Sequence, residues 1–181
     1  MSRLPPIPDD AMTDAQRAVR DAIVSGPRGT VQGPFPTWMR NPEMAMAGQK
    51  LGEYFRFNTT LSRDLAEIAI CVTAEHYKAA FEWWAHAKFA HDAGVPMDVT
   101  EAIRQGREPV FEDIKSKTVY QTARALNLRH RLSDEEYEIA VQVLGEQGLV
   151  DVIGLCGYYA LVSLTLNVAE VPTPDASNPF G

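Results

Sequence analysis

Residues 149–169, LVDVIGLCGYYALVSLTLNVA, restrict most what this chain can fold into. The run fits a helix that is apolar on every side, and such a helix is either buried in protein or embedded in lipid. Two features favour burial. Asp151 lies inside the run, and the flanking Glu146 and Glu170 are acidic, with no Lys or Arg to anchor either end at a membrane surface. A chain of 181 residues covers such a helix most easily if part of it packs against another subunit. Gly154 and Gly157 would let a neighbouring helix come close. The expectation is an all-α homo-oligomer that does not enter the membrane.

The densest set of groups able to do chemistry lies in a second stretch, Arg63 to Val95. Ser62 is placed to cap a helix, Asp64 falls in its first turn, and Leu65, Ile68, Ala69 and Val72 recur at the spacing of one buried face. The pattern loosens between His76 and Lys78. It resumes with Phe81, Trp84, Ala85, Phe89 and Ala90 and stops at Gly94, which suits a left-handed cap ahead of Pro96. The stretch therefore predicts an antiparallel helix pair with a break near Tyr77.

On the second helix of the pair, Glu82 and His86 are four residues apart and share a face. A carboxylate beside an imidazole can orient the ring, fix its tautomer and favour its protonated form, which is the minimal equipment for general acid–base catalysis. The competing reading is a solvated surface pair worth a few tenths of a kcal/mol. Trp83 and Trp84 argue for a water-poor setting, where such a pair is costly without a task. Glu67 can join the two only if the helices pack face to face.

Arg63, Glu67, Ile68, Ala69, the run Phe81-Glu82-Trp83 leading to His86, and Ala90 through Gly94 resemble the core motif of the carboxymuconolactone decarboxylase / alkylhydroperoxidase D-like (AhpD-like) family. The motif covers about a fifth of the chain. The peroxidase branch of that family has a Glu, a Cys-x-x-Cys pair and a His four residues beyond the second Cys. Here Glu67 and His86 match, but Ala79 and Glu82 occupy the cysteine positions, so the resemblance does not bring thiol peroxidase chemistry with it. Decarboxylase members also lack the cysteines and have a Glu four residues before the His. The resemblance implies an AhpD-like bundle of seven to eight helices, an oligomer, and a small carboxylated or lactone substrate from the breakdown of aromatic compounds.

The rest of the chain is expected to surround this core as a single domain over 1–181, with an N-terminal arm over 1–12, the core motif over 62–95 and a helical extension over 110–170. Thr13 and Gln16, and again Ser133 and Glu136, form capping boxes that open helices. Residues 26–42, with three Gly and four Pro, exclude regular structure, yet Val31, Phe35, Trp38 and Met39 are too apolar for a free linker; they read as a pocket wall or lid, or else as a surface-pinned loop. A helix over 42–57 should turn Met44, Ala47, Leu51 and Tyr54 inward. Arg56 and Arg63 flank the turn that follows it, and either could hold a substrate carboxylate bidentately, the bland alternative being a salt bridge. Helices are expected over 97–104, over 110–126 with Ile114 inward, and from Ser133 to about Gly145, carrying Tyr137, Ala140, Val141 and Leu144. The tail 171–181 reads as loose or extended.

Several classes are excluded. A net charge of -7 offers no basic stripe to nucleic acid. Cys71 and Cys156 have no metal or redox spacing and read as small buried apolar residues. There is no glycine-rich phosphate loop, zinc signature or serine nucleophile elbow. Glu82 and His86, helped by Glu67, His76 or His91, lack the spacing of a metal site, so neither metal nor cofactor is expected. The N-terminal residues lack an apolar leader, which points to the cytoplasm. The expected activity is cofactor-free acid–base chemistry with His86, Glu82 and Glu67 as catalytic groups and Arg63, Arg56 and Trp83 touching substrate. The alternatives are a peroxidase using Cys71 and a non-enzymatic scaffold, in which Glu82 and His86 would be exposed and line no cavity.

Overall fold

A computed structural model describes residues 2–181 as eight helices, with no strand among the described residues: α1 (Asp14–Ser25), α2 (Phe35–Trp38), α3 (Pro42–Glu53), α4 (Arg63–His76), α5 (Ala80–Asp92), α6 (Met97–Arg104), α7 (Ile114–Arg129) and α8 (Asp134–Ala169). α4 is the axis. Every residue from Leu65 to Ala74 is buried, because α5, α7 and α8 pack around it and α6 closes one end. A helix covered on all sides needs small residues as well as large ones, and Ala66, Ala69, Cys71 and Ala74 supply them.

The expected break after α4 is a turn over 77–79, in which Lys78 adopts a left-handed φ of 51°. It folds α5 back on α4. Both capping boxes are present, Thr13 with Gln16 and Ser133 with Glu136. α8 runs to Ala169 with one interruption at Gly145 (φ 74°, ψ 165°), where the sequence suggested an end. The helix therefore bends and resumes, and its second part is the apolar run. By length and composition α8 could cross a membrane. Here its inner face, Val152, Leu155, Tyr159, Val162 and Leu166, is core, while Val150, Ile153, Leu161, Leu164 and Val168 on its outer face are exposed.

Asp151 is the one charged residue inside that run, and it is buried. Its carboxylate accepts hydrogen bonds from Tyr54 Oη (2.8 Å), Thr59 Oγ1 (2.8 Å), Thr60 N (2.8 Å) and Thr60 Oγ1 (2.6 Å). Burial alone would raise its pKa, but these donors outweigh burial and lower it. The bonds fix the π-helical turn Tyr54–Asn58, and with it Arg56, to α8.

Five sequence expectations are corrected. α3 turns Ala45, Gln49 and Gly52 inward, while Met44 and Leu51 are exposed. The reason lies in its glycines: a Cβ on Gly48 would stand 2.8 Å from the Trp38 ring, and one on Gly52 would stand 2.1 Å from Tyr158 Oη. Close approach thus defines the inner face, and an apolar-residue pattern cannot register it. Ile114 opens α7 from an exposed position, since capping by Asp113 starts that helix later than its apolar pattern suggested; Tyr137 is likewise exposed. The loop 26–42 contains one helical turn, α2, which admits Pro36 because its first amides need no intrahelical partner. The C-terminal tail is docked: Phe180 meets the Trp83 ring edge-on (centroids 5.5 Å), Trp84 Nε1 donates to Asp175 Oδ2 (3.1 Å) and Arg104 Nη1 donates to Pro179 O (2.6 Å). The N-terminal arm packs on its own chain, with Arg3 N donating to Ala169 O (2.8 Å) and Arg40 Nη2 to Pro5 O (2.7 Å).

Candidate active site

The α4–α5 turn sets the register of the two helices so that Glu67 faces His86. His86 Nδ1 lies 2.6 Å from Glu67 Oε2, and Nε2 lies 2.9 Å from Glu82 Oε1. All three side chains are buried, at 4–6 % exposure, which the solvated-pair reading does not allow. Both ring nitrogens thus face carboxylate oxygens. A neutral imidazole can donate from only one nitrogen, whereas the imidazolium donates from both. Burial pulls the His86 pKa down, but the charges of Glu67 and Glu82 and their hydrogen bonds outweigh burial and raise it to about 9. At neutral pH the ring is a cation clamped between two carboxylates.

Aromatic rings pack against it. Tyr159 stands edge-on to the imidazole at 5.0 Å and Phe89 at 5.5 Å. The guanidinium groups of Arg56 (5.2 Å) and Arg63 (5.5 Å) lie over the Phe89 ring. His86 and Glu82 form part of the wall of a cavity of about 200 Å³ lying between α5, α8 and the loop before α2. Glu67 does not border this cavity; it opens toward a smaller space shared with Arg56 and Arg63. The two carboxylates therefore differ in position: Glu82 meets whatever enters, and Glu67 holds the ring from behind.

The structure brings Glu67, Glu82, His86 and Arg56 to one place. Arg63 does not border the cavity; it lines the smaller space beside Glu67 and Arg56. Trp83 is buried against Phe180, and its neighbour Trp84 borders the cavity instead. This follows from helix geometry: Glu82 and His86 share a face, Trp84 lies beside it, and Trp83 turns inward to the core.

Residues not singled out from the sequence complete the site. Arg28, in the loop before α2, borders the cavity with its guanidinium over the Phe35 ring (4.9 Å). Its Nε donates to Gln49 Oε1 (3.1 Å), while Nη2 is buried without a hydrogen-bond partner. Burial lowers its pKa from the usual arginine value, and the group remains a cation. Tyr158 and Tyr159 come from the apolar run, and burial raises the pKa of both phenols. The signal for Arg28 was present, since the loop reads as a pocket wall, but nothing in the sequence selects that residue. Three cations, Arg28, Arg56 and Lys88, thus border the cavity against one carboxylate, Glu82, beside the imidazolium.

A second cavity of about 210 Å³ lies on the other side of α4, bordered by Glu75, His76, Tyr120 and Arg124. Its histidine stands edge-on to Tyr77 and is paired with no carboxylate among the described residues. Glu75 pairs with Lys78, and Arg124 donates to Tyr120 Oη (2.8 Å). The first cavity therefore has the stronger chemical claim. Among the described residues no group of three His, Cys, Asp or Glu is arranged to hold a metal ion. Compared with known proteins, the chain matches no family model, and no curated protein matches it significantly.

Proposed function

We propose that the protein is a cofactor-independent acid–base enzyme acting on a small anionic substrate, and that its reaction is decarboxylation of a conjugated lactone or carboxylic acid, as the resemblance to carboxymuconolactone decarboxylases implies. The observation that carries this reading is the buried Glu67–His86–Glu82 clamp opening through Glu82 and His86 onto a cavity bordered by cations. Arg28 and Arg56 hold the anion, and the unpaired Nη2 of Arg28 gains a partner when an oxygen arrives. As the C–C bond to the carboxylate breaks, its electron pair moves into the substrate's conjugated carbonyl and carbon dioxide leaves. The resulting enolate takes a proton at carbon from the Glu82–His86 pair, and the pair regains that proton from solvent. The proton given up is that of His86 Nε2, which faces Glu82, so the ring is neutral until solvent reprotonates it; Glu67, on Nδ1, holds the ring oriented and favours its return to the imidazolium.

The alternatives have less support. Cys71 is fully buried, and burial together with the charges of Glu67 and Glu82 raises its pKa well above the thiol value, so it is held in the unreactive thiol form. A scaffold without chemistry has no use for a buried ion triad at the edge of a cavity. The test is to incubate the full chain with carboxylated lactones and dienoic acids and to follow loss of conjugation by ultraviolet absorbance together with carbon dioxide release. Turnover should fall at least about a hundredfold in Glu82→Gln and His86→Gln, in line with the usual contribution of a general acid. Wild-type turnover in His86→Gln would refute the proposal.

A further inference from the structure

We propose that the outer face of α8 is an isologous interface between two copies of this chain, with the two helices antiparallel and crossing at Gly157. The face consists of Val150, Ile153, Gly157, Leu161 and Leu164 and extends to Val168; its large side chains are 40–65 % exposed. From Val150 to Leu164 no exposed position of α8 carries a polar side chain. A stripe of this kind is rare on a free surface.

The order of residues selects the partner. Ile153 lies four positions before Gly157 and Leu161 four after it; Val150 lies seven before and Leu164 seven after. A two-fold axis through Gly157 therefore sets Ile153 against Leu161 of the other copy, and Val150 against Leu164, with apolar groups of similar size at each point. Gly157 itself has no explanation within one chain. A Cβ there would meet nothing within 4 Å, whereas one on Gly154 would strike the Phe55 ring at 2.4 Å. An unneeded glycine inside a helix costs about 1 kcal/mol relative to alanine, and a crossing point between two backbones gives it a use.

Charge agrees with the same register. Eleven positions before Gly157 is Glu146, and eleven after it is Val168. Arg3 lies against the end of α8, its Nη1 donating to Val168 O (3.4 Å) and its Nη2 paired with Glu170, and its side chain is 63 % exposed. The antiparallel pairing brings Glu146 of each copy beside Arg3 of the other, so each Arg3, already held by Glu170 of its own chain, gains a second carboxylate at the end of the apolar stripe. A lipid surface would meet Glu146 at one end and the mutually neutralising Arg3–Glu170 pair at the other, a poor match to anionic headgroups. The interface backs onto the site, since Tyr158 and Tyr159 border the cavity from the opposite side of the same turns.

Sedimentation equilibrium of the full chain, with cysteine cross-linking, tests this. Wild type should have a mass that is an even multiple of 20.1 kDa. Leu161→Glu, at a position exposed in the single chain, should keep its helical circular dichroism and lose at least half of that mass. Gly157→Cys should oxidise to a disulfide-linked pair. Val168→Cys should not, because the two copies of that position would stand roughly 33 Å apart at 1.5 Å per residue. A monomeric wild type, an unchanged mass in Leu161→Glu, or cross-linking through Val168→Cys in place of Gly157→Cys would overturn the proposal. So would a wild type that is monomeric in solution and floats with phospholipid vesicles.

Discussion

Replacing Glu82 by Gln should lower the pKa of His86 by about 2 pH units or more. The substitution keeps the shape and a hydrogen-bond acceptor for Nε2 but removes one of the two negative charges on the ring. Unit charges about 4 Å apart interact by about 4 kcal/mol at an effective dielectric of about 20, equivalent to about 3 pH units. The ring would remain as buried, so nothing replaces the lost attraction, and His86 would titrate near or below the ordinary 6.5 rather than at about 9. Nuclear magnetic resonance of the ring, titrated in wild type and variant, reads this directly. Stability supplies a second readout with a definite sign. A histidine whose pKa is raised on folding contributes stability that is fully present below about pH 6.5 and is lost as pH rises through about 9. At 1.36 kcal/mol per pH unit that gap corresponds to about 3 kcal/mol. Urea unfolding of wild type should therefore weaken by that order between pH 6.5 and 9. The difference between wild type and Glu82→Gln should carry the pH dependence, since the other histidines are common to both proteins. A His86 pKa that does not move in the variant would refute the electrostatic account of the clamp.

Other consequences are equally specific. Asp151→Ala removes the acceptor for four donors from Tyr54, Thr59 and Thr60 and should cost about 3 kcal/mol or more in denaturant unfolding, because buried donors lose a charged partner; a loss within measurement error would contradict it. The same carboxylate, its pKa lowered in the folded chain, contributes stability present above the ordinary Asp range and lost as pH falls through its folded value. Gly52→Ala would put a methyl 2.1 Å from Tyr158 Oη and 2.6 Å from Arg28 Nη2. It should destabilise the protein despite alanine's better helix propensity, and the Tm of the variant checks the sign. Arg28→Gln should raise KM for an anionic substrate far more than it lowers kcat, since it removes a binding charge and no proton carrier; an equal fall in kcat would place Arg28 in the chemistry instead.

Much of the fold was legible in the sequence because its signals are local. Capping boxes at Thr13 and Ser133, the break at Tyr77 and the left-handed Gly94 depend on a few adjacent residues, and the structure has each of them. The pairing of Glu82 with His86 is a spacing on one helix and could be read directly. That Glu67 completes the clamp could only be conditional, because 19 residues of chain separate it from His86 and only the packing of α4 on α5 brings it within 2.6 Å. Arg28, Tyr158 and Tyr159 were not legible as site residues, because a cavity wall is assembled from distant segments and no periodicity marks it. The inner face of α3 was misjudged for a related reason, since glycines that admit Trp38 and Tyr158 leave no apolar signature. The chain's own pattern thus determined which residues are helical and which pair can move a proton. Tertiary packing decided burial and brought Glu67 to the ring: in water the imidazole of a Glu–His pair would be screened and titrate near its ordinary value, whereas in the buried clamp the charges of Glu67 and Glu82 outweigh the cost of burial and keep the ring protonated.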